Sequence, residues 1–175
     1  MMALILFSPV MLVTAILIKA TSPGPVIFCQ ERVGLHNKPF KMYKFRSMAV
    51  QSAAKEKSQW TTPGDPRVTP IGRFIRKTSI DELPQLFNIL KGEMTFVGPR
   101  PPLVSEVEKY NSYQRQRLGV KQGLTCFWQC SGRNNIGFEE WVALDLKYIK
   151  TRGIWTDIKI LLKTVSAVLR MDGAC

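Results

Sequence analysis

Acidic residues, histidine and cysteine are all scarce in this sequence. Its 175 residues carry 13 Asp and Glu against 25 Lys and Arg, a formal charge of +12. The shortage of acid points away from cationic partners, towards phosphates, nucleic acid or an acidic membrane surface. The four cysteines (Cys29, Cys126, Cys130, Cys175) fit no familiar disulfide framework. Cys126 and Cys130 have no second Cys or His pair nearby to complete a zinc site, so reduced thiols in a cytosol-facing domain are expected. The single His36 lies in the polar stretch Gly34-Leu35-His36-Asn37-Lys38 and reads as a solvated turn residue. Internal repeats and an obvious linker are also missing, which leaves one domain with a modest core.

The amino terminus lacks charge altogether. Met1 to Ile18 contains no ionisable side chain, and Lys19 is the first. As a straight helix this run reaches roughly 27 Å, against a hydrocarbon core of about 30 Å. No basic residue precedes it and no small-x-small cleavage site follows, which argues against a signal peptide. Ser8-Pro9 sits in its middle. Proline removes a backbone donor and kinks a helix, and a neighbouring hydroxyl can satisfy the freed carbonyl. Two geometries stand on equal terms: a simple span, and a kinked helix that turns back to the face it entered. Lys19 and the basic chain after it favour a cytoplasmic domain. The abrupt apolar start predicts a preceding segment.

Thr21-Ser22-Pro23-Gly24-Pro25 ends the apolar segment. Val26–Val33 and Phe40–Arg46 predict a β-hairpin around a turn at Gly34 to Asn37, with Phe40 and Met42 on one face. Ala49 to Gly64 is polar and reads as a mobile connection. Helices are expected at Ile71–Lys77, from near Asp81 to Lys91-Gly92, and over Leu103–Leu118, Phe138–Arg152 and Thr156–Arg170. The last carries a stripe of Ile158, Leu161, Leu162, Val165 and Leu169. The fold class is α/β and helix-dominated.

The chemistry concentrates between Asp65 and Pro101, where Arg67, Arg73, Arg76, Lys77 and Arg100 surround Asp81-Glu82. Adjacent carboxylates among cations can hold a divalent metal and act on a phosphate, with arginines neutralising the substrate. The same residues also read as helix caps. Either Asp81 is the N-cap with Pro84 in the first turn, or Ser79 and Glu82 form a capping box. Arg100, between Pro99 and Pro101, is either a fixed guanidinium or a solvated residue of a rigid turn. Ser131-Gly132-Arg133-Asn134-Asn135 is either a turn or a phosphate-contacting loop. Lys44 reads as a charged residue on the solvent face of a strand.

At these residues the chain resembles the bacterial sugar transferase family, the monotopic polyprenyl-phosphate phosphoglycosyl transferases. The matching pieces are Ser8-Pro9, Tyr43-Lys44-Phe45-Arg46-Ser47-Met48, Asp65-Pro66-Arg67-Val68-Thr69, Ile80 to Leu86, Val97 to Pro101 and Ser131 to Asn134. They occur in family order over nearly the whole chain. The resemblance implies that residues 1–20 form a re-entrant membrane helix broken at Ser8 and Pro9. Residues 21–175 would be a small cytosolic catalytic domain with interfacial amphipathic helices. Asp81 would be the nucleophile and a Mg²⁺ ligand, and Glu82 would assist. Lys44, Arg76, Arg100 and Arg133 would meet substrate phosphates. The expected reaction moves a sugar 1-phosphate from a UDP-sugar to polyprenyl (undecaprenyl) phosphate, releasing UMP through an aspartyl-phosphosugar.

Two features depart from the family pattern. Phe127-Trp128-Gln129-Cys130 stands where a Trp-Ala-Gln-Val type run is common, and the chain ends in Cys175. Longer family members add amino-terminal membrane segments, so this chain resembles the catalytic portion. The implied setting is the cytoplasmic face of a bacterial inner membrane, with phospholipid as a partner and nucleic acid not expected. A membrane-tethered module binding nucleic acid or anionic lipid without catalysis also accounts for the charge. It gives no role to Ser8-Pro9 or Asp81-Glu82, and no recognition helix or RNA-binding signature is present. Nothing reads a particular sugar hydroxyl, and no signal bears on oligomeric state.

Overall fold

The structure is a computed structural model, and it describes residues 2–49, 65–130 and 137–170. The amino-terminal helix α1 covers Met2–Thr21, three residues beyond the uncharged run. Its length is therefore about 30 Å, matching a bilayer's hydrocarbon core. Pro9 lies inside this helix and cannot donate to the carbonyl of Ile5. The Ser8 hydroxyl donates to that carbonyl instead, at 2.8 Å. Helical structure runs through the proline, as expected where a side chain takes over the orphaned acceptor.

Only one side of α1 is covered. Met2, Ile5, Leu6, Leu12, Val13 and Ile16 are exposed, whereas Ile18 is fully buried. Ile18 joins Phe45 and Ile75 in a small core, with Met11, Ala15, Val26, Ile71, Ile80 and Leu83 packed around it. Strands β1 (Ile27–Val33) and β2 (Pro39–Phe45) form the antiparallel hairpin, with Ile27 opposite Phe45 and Val33 opposite Pro39. Its turn holds His36 and Asn37 at positive φ, and His36 is exposed, as read from the sequence. The guanidinium of Arg46 donates to the carbonyls of Ser22 and Pro23, at 2.8 and 2.6 Å, and so ties the end of α1 to the hairpin.

Helix α2 (Pro70–Lys77) starts at Thr69, whose hydroxyl accepts from the Gly72 amide. Proline at the first helical position costs no hydrogen bond. The next segment differs from expectation. Ser79 takes a left-handed conformation (φ 56°) and makes no side-chain cap, and Ile80–Glu82 form a 3-10 turn. Helix α3 begins only at Gln85 and runs to Leu90, with Pro84 in the cap position. Asp81 is therefore not the cap of α3, and Ser79 flanks the 3-10 turn without a side-chain cap bond. The backbone amide of Glu82 bonds to the Ser79 carbonyl. Beyond α3, Gly92 at φ 76° closes the helix as expected.

Asn88 of α3 is fully buried at the outer edge of β2. It accepts from the Tyr43 amide at 3.0 Å and donates to the Lys41 carbonyl at 2.7 Å, taking the place of a neighbouring strand. A second sheet was not foreseen. Strands β3 (Thr95–Val97) and β4 (Gly123–Thr125) pair in parallel. A side chain on Gly123 would sit 2.1 Å from the Gly98 amide, so the two backbones touch where the Gly98–Pro102 loop departs.

The single helix expected at 103–118 is instead α4 (Val104–Val107), α5 (Ser112–Arg115) and a 3-10 turn at Gln116–Gly119. Asn111 interrupts it by forming a capping box with Gln114. A short helix α6 (Phe127–Cys130) precedes α7 (Phe138–Thr151) and α8 (Ile154–Arg170). Val97, Cys126, Trp128, Tyr148 and Ile160 form the core between them. On α8, Ile158, Leu162 and Val165 of the anticipated stripe face outward with Ile154 and Trp155, while Ile160 points in. The described chain is a helix-dominated α/β fold with a β-hairpin and one amino-terminal apolar helix.

Candidate functional site

Asp81 lies in the 3-10 turn between α2 and α3, with only 9% of its surface exposed. Burial pushes its carboxyl up to about 6, and the neighbouring charge of Glu82 adds to this. Lys44 and Arg76 lie close enough to oppose the shift. Glu82 itself accepts a 2.7 Å hydrogen bond from the Lys44 ammonium. This overturns the solvent-face reading of Lys44, whose side chain is only 21% exposed. Asn88 clamps β2 against α3, and Lys44 at the end of β2 reaches the 3-10 turn that holds Glu82.

Arg76, in the last turn of α2, has a buried Nη1 that finds no hydrogen-bond partner among the described residues. A buried, unpaired guanidinium nitrogen costs free energy unless an anion meets it. Arg100 stands on its stiff loop as expected, with Pro99, Pro101 and Pro102 buried and the arginine half-exposed. Its guanidinium lies over the rings of Trp128 and Trp141, at 5.4 and 5.9 Å from their centroids. The aromatic floor thus comes partly from the Phe127–Cys130 run, one of the two departures from the family pattern. Arg133 lies outside the described residues.

Arg32 belongs with this group and was not singled out in the sequence. It is buried, donates from Nη1 to the Pro101 carbonyl at 3.0 Å and from Nη2 to Gln30 at 2.7 Å. Burial, and then the charge of Arg100, lower its pKa to about 10. The amide of Val33 adds a bond to the Pro102 carbonyl, so the end of β1 holds the Arg100 loop at two points. In sequence, Arg32 looked like any charged residue at a strand end. Below Trp141 lies a second cation, Arg117, fully buried and paired with Asp145 at 2.7 Å.

Other cations of the Asp65–Pro101 stretch are not part of the cluster. Arg67 closes back on Asp65 in a bidentate pair that holds the Asp65 carboxyl well below the usual carboxylate range. Arg73 and Lys77 are exposed. The site therefore combines a desolvated aspartate, a neutralised glutamate and guanidinium groups from α2, β1 and the proline loop. Such an arrangement suits a substrate with several phosphate charges.

No set of three His, Cys, Asp or Glu side chains converges on one point among the described residues. Magnesium needs no such cage: it keeps several waters and takes one or two carboxylates together with substrate phosphates. Asp81, with Glu82 beside it, offers that kind of donor set, and a cation would offset the cost of charging a buried carboxylate.

Comparison with known proteins agrees with the motifs. The profile of the family described as bacterial sugar transferase matches residues 1–171. A galactosyl transferase, CpsE, of Streptococcus agalactiae is 52% identical over 86% of this chain. The undecaprenyl-phosphate galactose phosphotransferase of Salmonella typhimurium is 46% identical over 99% of it. The UDP-glucose:undecaprenyl-phosphate glucose-1-phosphate transferase of Escherichia coli is 45% identical over 93%. The chain spans 36%, 39% and 36% of the length of these three curated relatives. From Ser8-Pro9 to the end of α8, motif by motif and by overall similarity, the chain belongs to the bacterial sugar transferase family.

Proposed function

We propose that this chain is a phosphoglycosyl transferase that moves a sugar 1-phosphate from a UDP-sugar onto undecaprenyl phosphate at the cytoplasmic face of a bacterial membrane. The observation that carries the reading is Asp81: a buried carboxylate, kept from full neutralisation by Lys44 and Arg76, beside a guanidinium nitrogen that has no partner among the described residues.

In the first step an Asp81 oxygen attacks the sugar-bearing phosphorus of the UDP-sugar. An Asp81 O–P bond forms, the bridging P–O bond breaks, and UMP leaves with the electron pair. Arg76, Arg100 and Arg133 draw charge from the phosphate oxygens so that one anion can approach another. Lys44 holds Glu82 and keeps a positive charge beside Asp81. Magnesium, bound at Asp81 with help from Glu82, would neutralise phosphate charge. In the second step a phosphate oxygen of the lipid attacks the same phosphorus. The Asp81 O–P bond breaks, and polyprenyl diphosphosugar forms.

The acceptor lipid cannot leave the bilayer, so the site should lie at the interface. The exposed apolar face of α1 and the exposed Trp155 and Leu162 of α8 support a re-entrant helix with α8 lying along the membrane surface. The relatives are named for galactose and for glucose. The sugar is therefore best found by assay.

The test is UMP release by the purified chain in nanodiscs with Mg²⁺, undecaprenyl phosphate and a panel of UDP-sugars. Asp81→Ala is expected to lower the rate by at least a thousand-fold. Continued multiple-turnover UMP release without lipid, beyond one equivalent per chain, or full activity in that variant, would remove the reading.

A further inference from the structure

The loop that presents Arg100 is fixed at both ends. At its entry the Gly98 amide donates to the Thr125 carbonyl and the Pro99 carbonyl accepts from the Gly123 amide, both at 2.9 Å. At its exit the Pro101 carbonyl accepts from Arg32 Nη1 and the Pro102 carbonyl from the Val33 amide, both at 3.0 Å. Three of these ties are backbone to backbone, which any sequence with this path could make. Only the tie from Arg32 depends on a side chain, and it grips the carbonyl one residue beyond Arg100.

Arg32 is an expensive way to hold a carbonyl. It is 7% exposed, and the charge of Arg100 acts on it unfavourably. A guanidinium supplies a rigid fork, and here Nη2 is anchored on Gln30 while Nη1 holds the loop. The hairpin register adds a second relation. Arg32 lies across from Phe40 and Phe28 across from Lys44, so Arg32 and Lys44 belong to the same face of the hairpin. Lys44 holds Glu82 beside Asp81 at one end of that face, and Arg32 holds the Arg100 loop at the other. About four residues of strand, roughly 13 Å, set the span between them.

We infer that Arg32 is a positioning residue: by holding the Pro101 carbonyl it fixes the Arg100 guanidinium over Trp128 and Trp141, at a span from Asp81 that the hairpin sets. Its consequence for catalysis rests on the transferase reading and deepens it. Arg32 acts through Arg100 and needs no contact with substrate.

The first arm of the test reads the position of Arg100 without turnover. The full chain, labelled with 5-fluorotryptophan and held in nanodiscs, is followed by fluorine NMR, its signals assigned by single Trp→Phe changes. Arg100→Ala defines where the Trp128 and Trp141 signals go when the guanidinium leaves. Arg32→Lys is expected to carry both signals toward those positions and to leave Trp155 unmoved. Gln30→Ala, which removes only the anchor of Arg32, should do the same to a smaller extent, and it decides if Arg32→Lys misfolds. Trp128 and Trp141 signals that stay at their parent positions in the folded variants overturn the inference. The second arm is UMP release. Arg32→Lys should lower kcat at least about ten-fold while the UDP-sugar KM stays within about three-fold. In an Arg100→Ala background the same change should cost less than about two-fold. Equal losses in both backgrounds would show that Arg32 does not act through Arg100. A parent chain that releases no UMP removes the transferase reading, and the fluorine signals still judge the hold of Arg32 on Arg100.

Discussion

Asp81 carries its charge at a cost to the fold. Its carboxyl is raised from 3.8 to about 6, so the protonated form is the one that folding favours. That contribution is present in full below about pH 4 and is lost as pH rises through about 6, a difference on the order of 3 kcal/mol. Asp81→Asn should therefore be more stable than the parent by about 1–3 kcal/mol at pH 7.5, with the gap closing toward pH 4. Thermal unfolding in detergent across that range measures it. Catalysis on the proposed reading needs the opposite form. Single-turnover UMP release should rise with pH through about 6 and then level, and saturating Mg²⁺ should move that midpoint down, because a cation favours the carboxylate. Lys44→Ala removes an opposing positive charge and should move it up. A midpoint indifferent to both would show that Asp81 is not the titrating group.

At the level of elements, the site depends on ties between segments far apart in sequence. Arg46 links the end of α1 to β2 through the Ser22 and Pro23 carbonyls. It is 5% exposed, so Arg46→Ala strands acceptors at a helix end and should cost about 2–4 kcal/mol. Denaturant unfolding in detergent checks this, and a loss below 0.5 kcal/mol would mean that water replaces the guanidinium freely. The floor under Arg100 rests on Trp141, which in turn lies over Arg117. Asp145→Ala leaves the Arg117 charge buried and unpaired, and should destabilise the fold by about 3–5 kcal/mol. Asp145→Asn, which keeps the size and part of the hydrogen bonding, should be milder, and the order of the two is the check.

For the whole molecule the open geometry is that of α1 against the bilayer. Its length permits a crossing, and its Pro9 and partial packing on the domain permit a return. Single cysteines at residues 2 and 38 in a background without the native thiols should both react with a membrane-impermeant maleimide added to the cytoplasmic side. Labelling of residue 2 from the opposite side alone would make α1 a span. Trp155, 81% exposed on α8, should be quenched by lipids brominated near the headgroup if that helix lies on the surface.

The sequence alone determined much of this protein. The hairpin, α2, α7 and α8 follow from local periodicity and breakers, and family membership follows from motifs whose order is a property of the chain. Asp81, Glu82 and Arg100 stood out because unusual residues cluster around them within some forty positions. The two-residue register of β3 and β4 left no such trace, since three-residue strands are too short to show a period and their pairing is long-range. Only the tertiary structure decided that Asp81 sits in a 3-10 turn behind a left-handed Ser79, where Ile80 packs against the Ile18, Phe45 and Ile75 core. It alone brought Lys44 to Glu82 across 38 positions and Arg32 to the Pro101 carbonyl across 69. Burial and charge proximity are collective quantities: the identity of a residue fixes its chemistry, and the neighbours supplied by the fold fix its pKa and its reach.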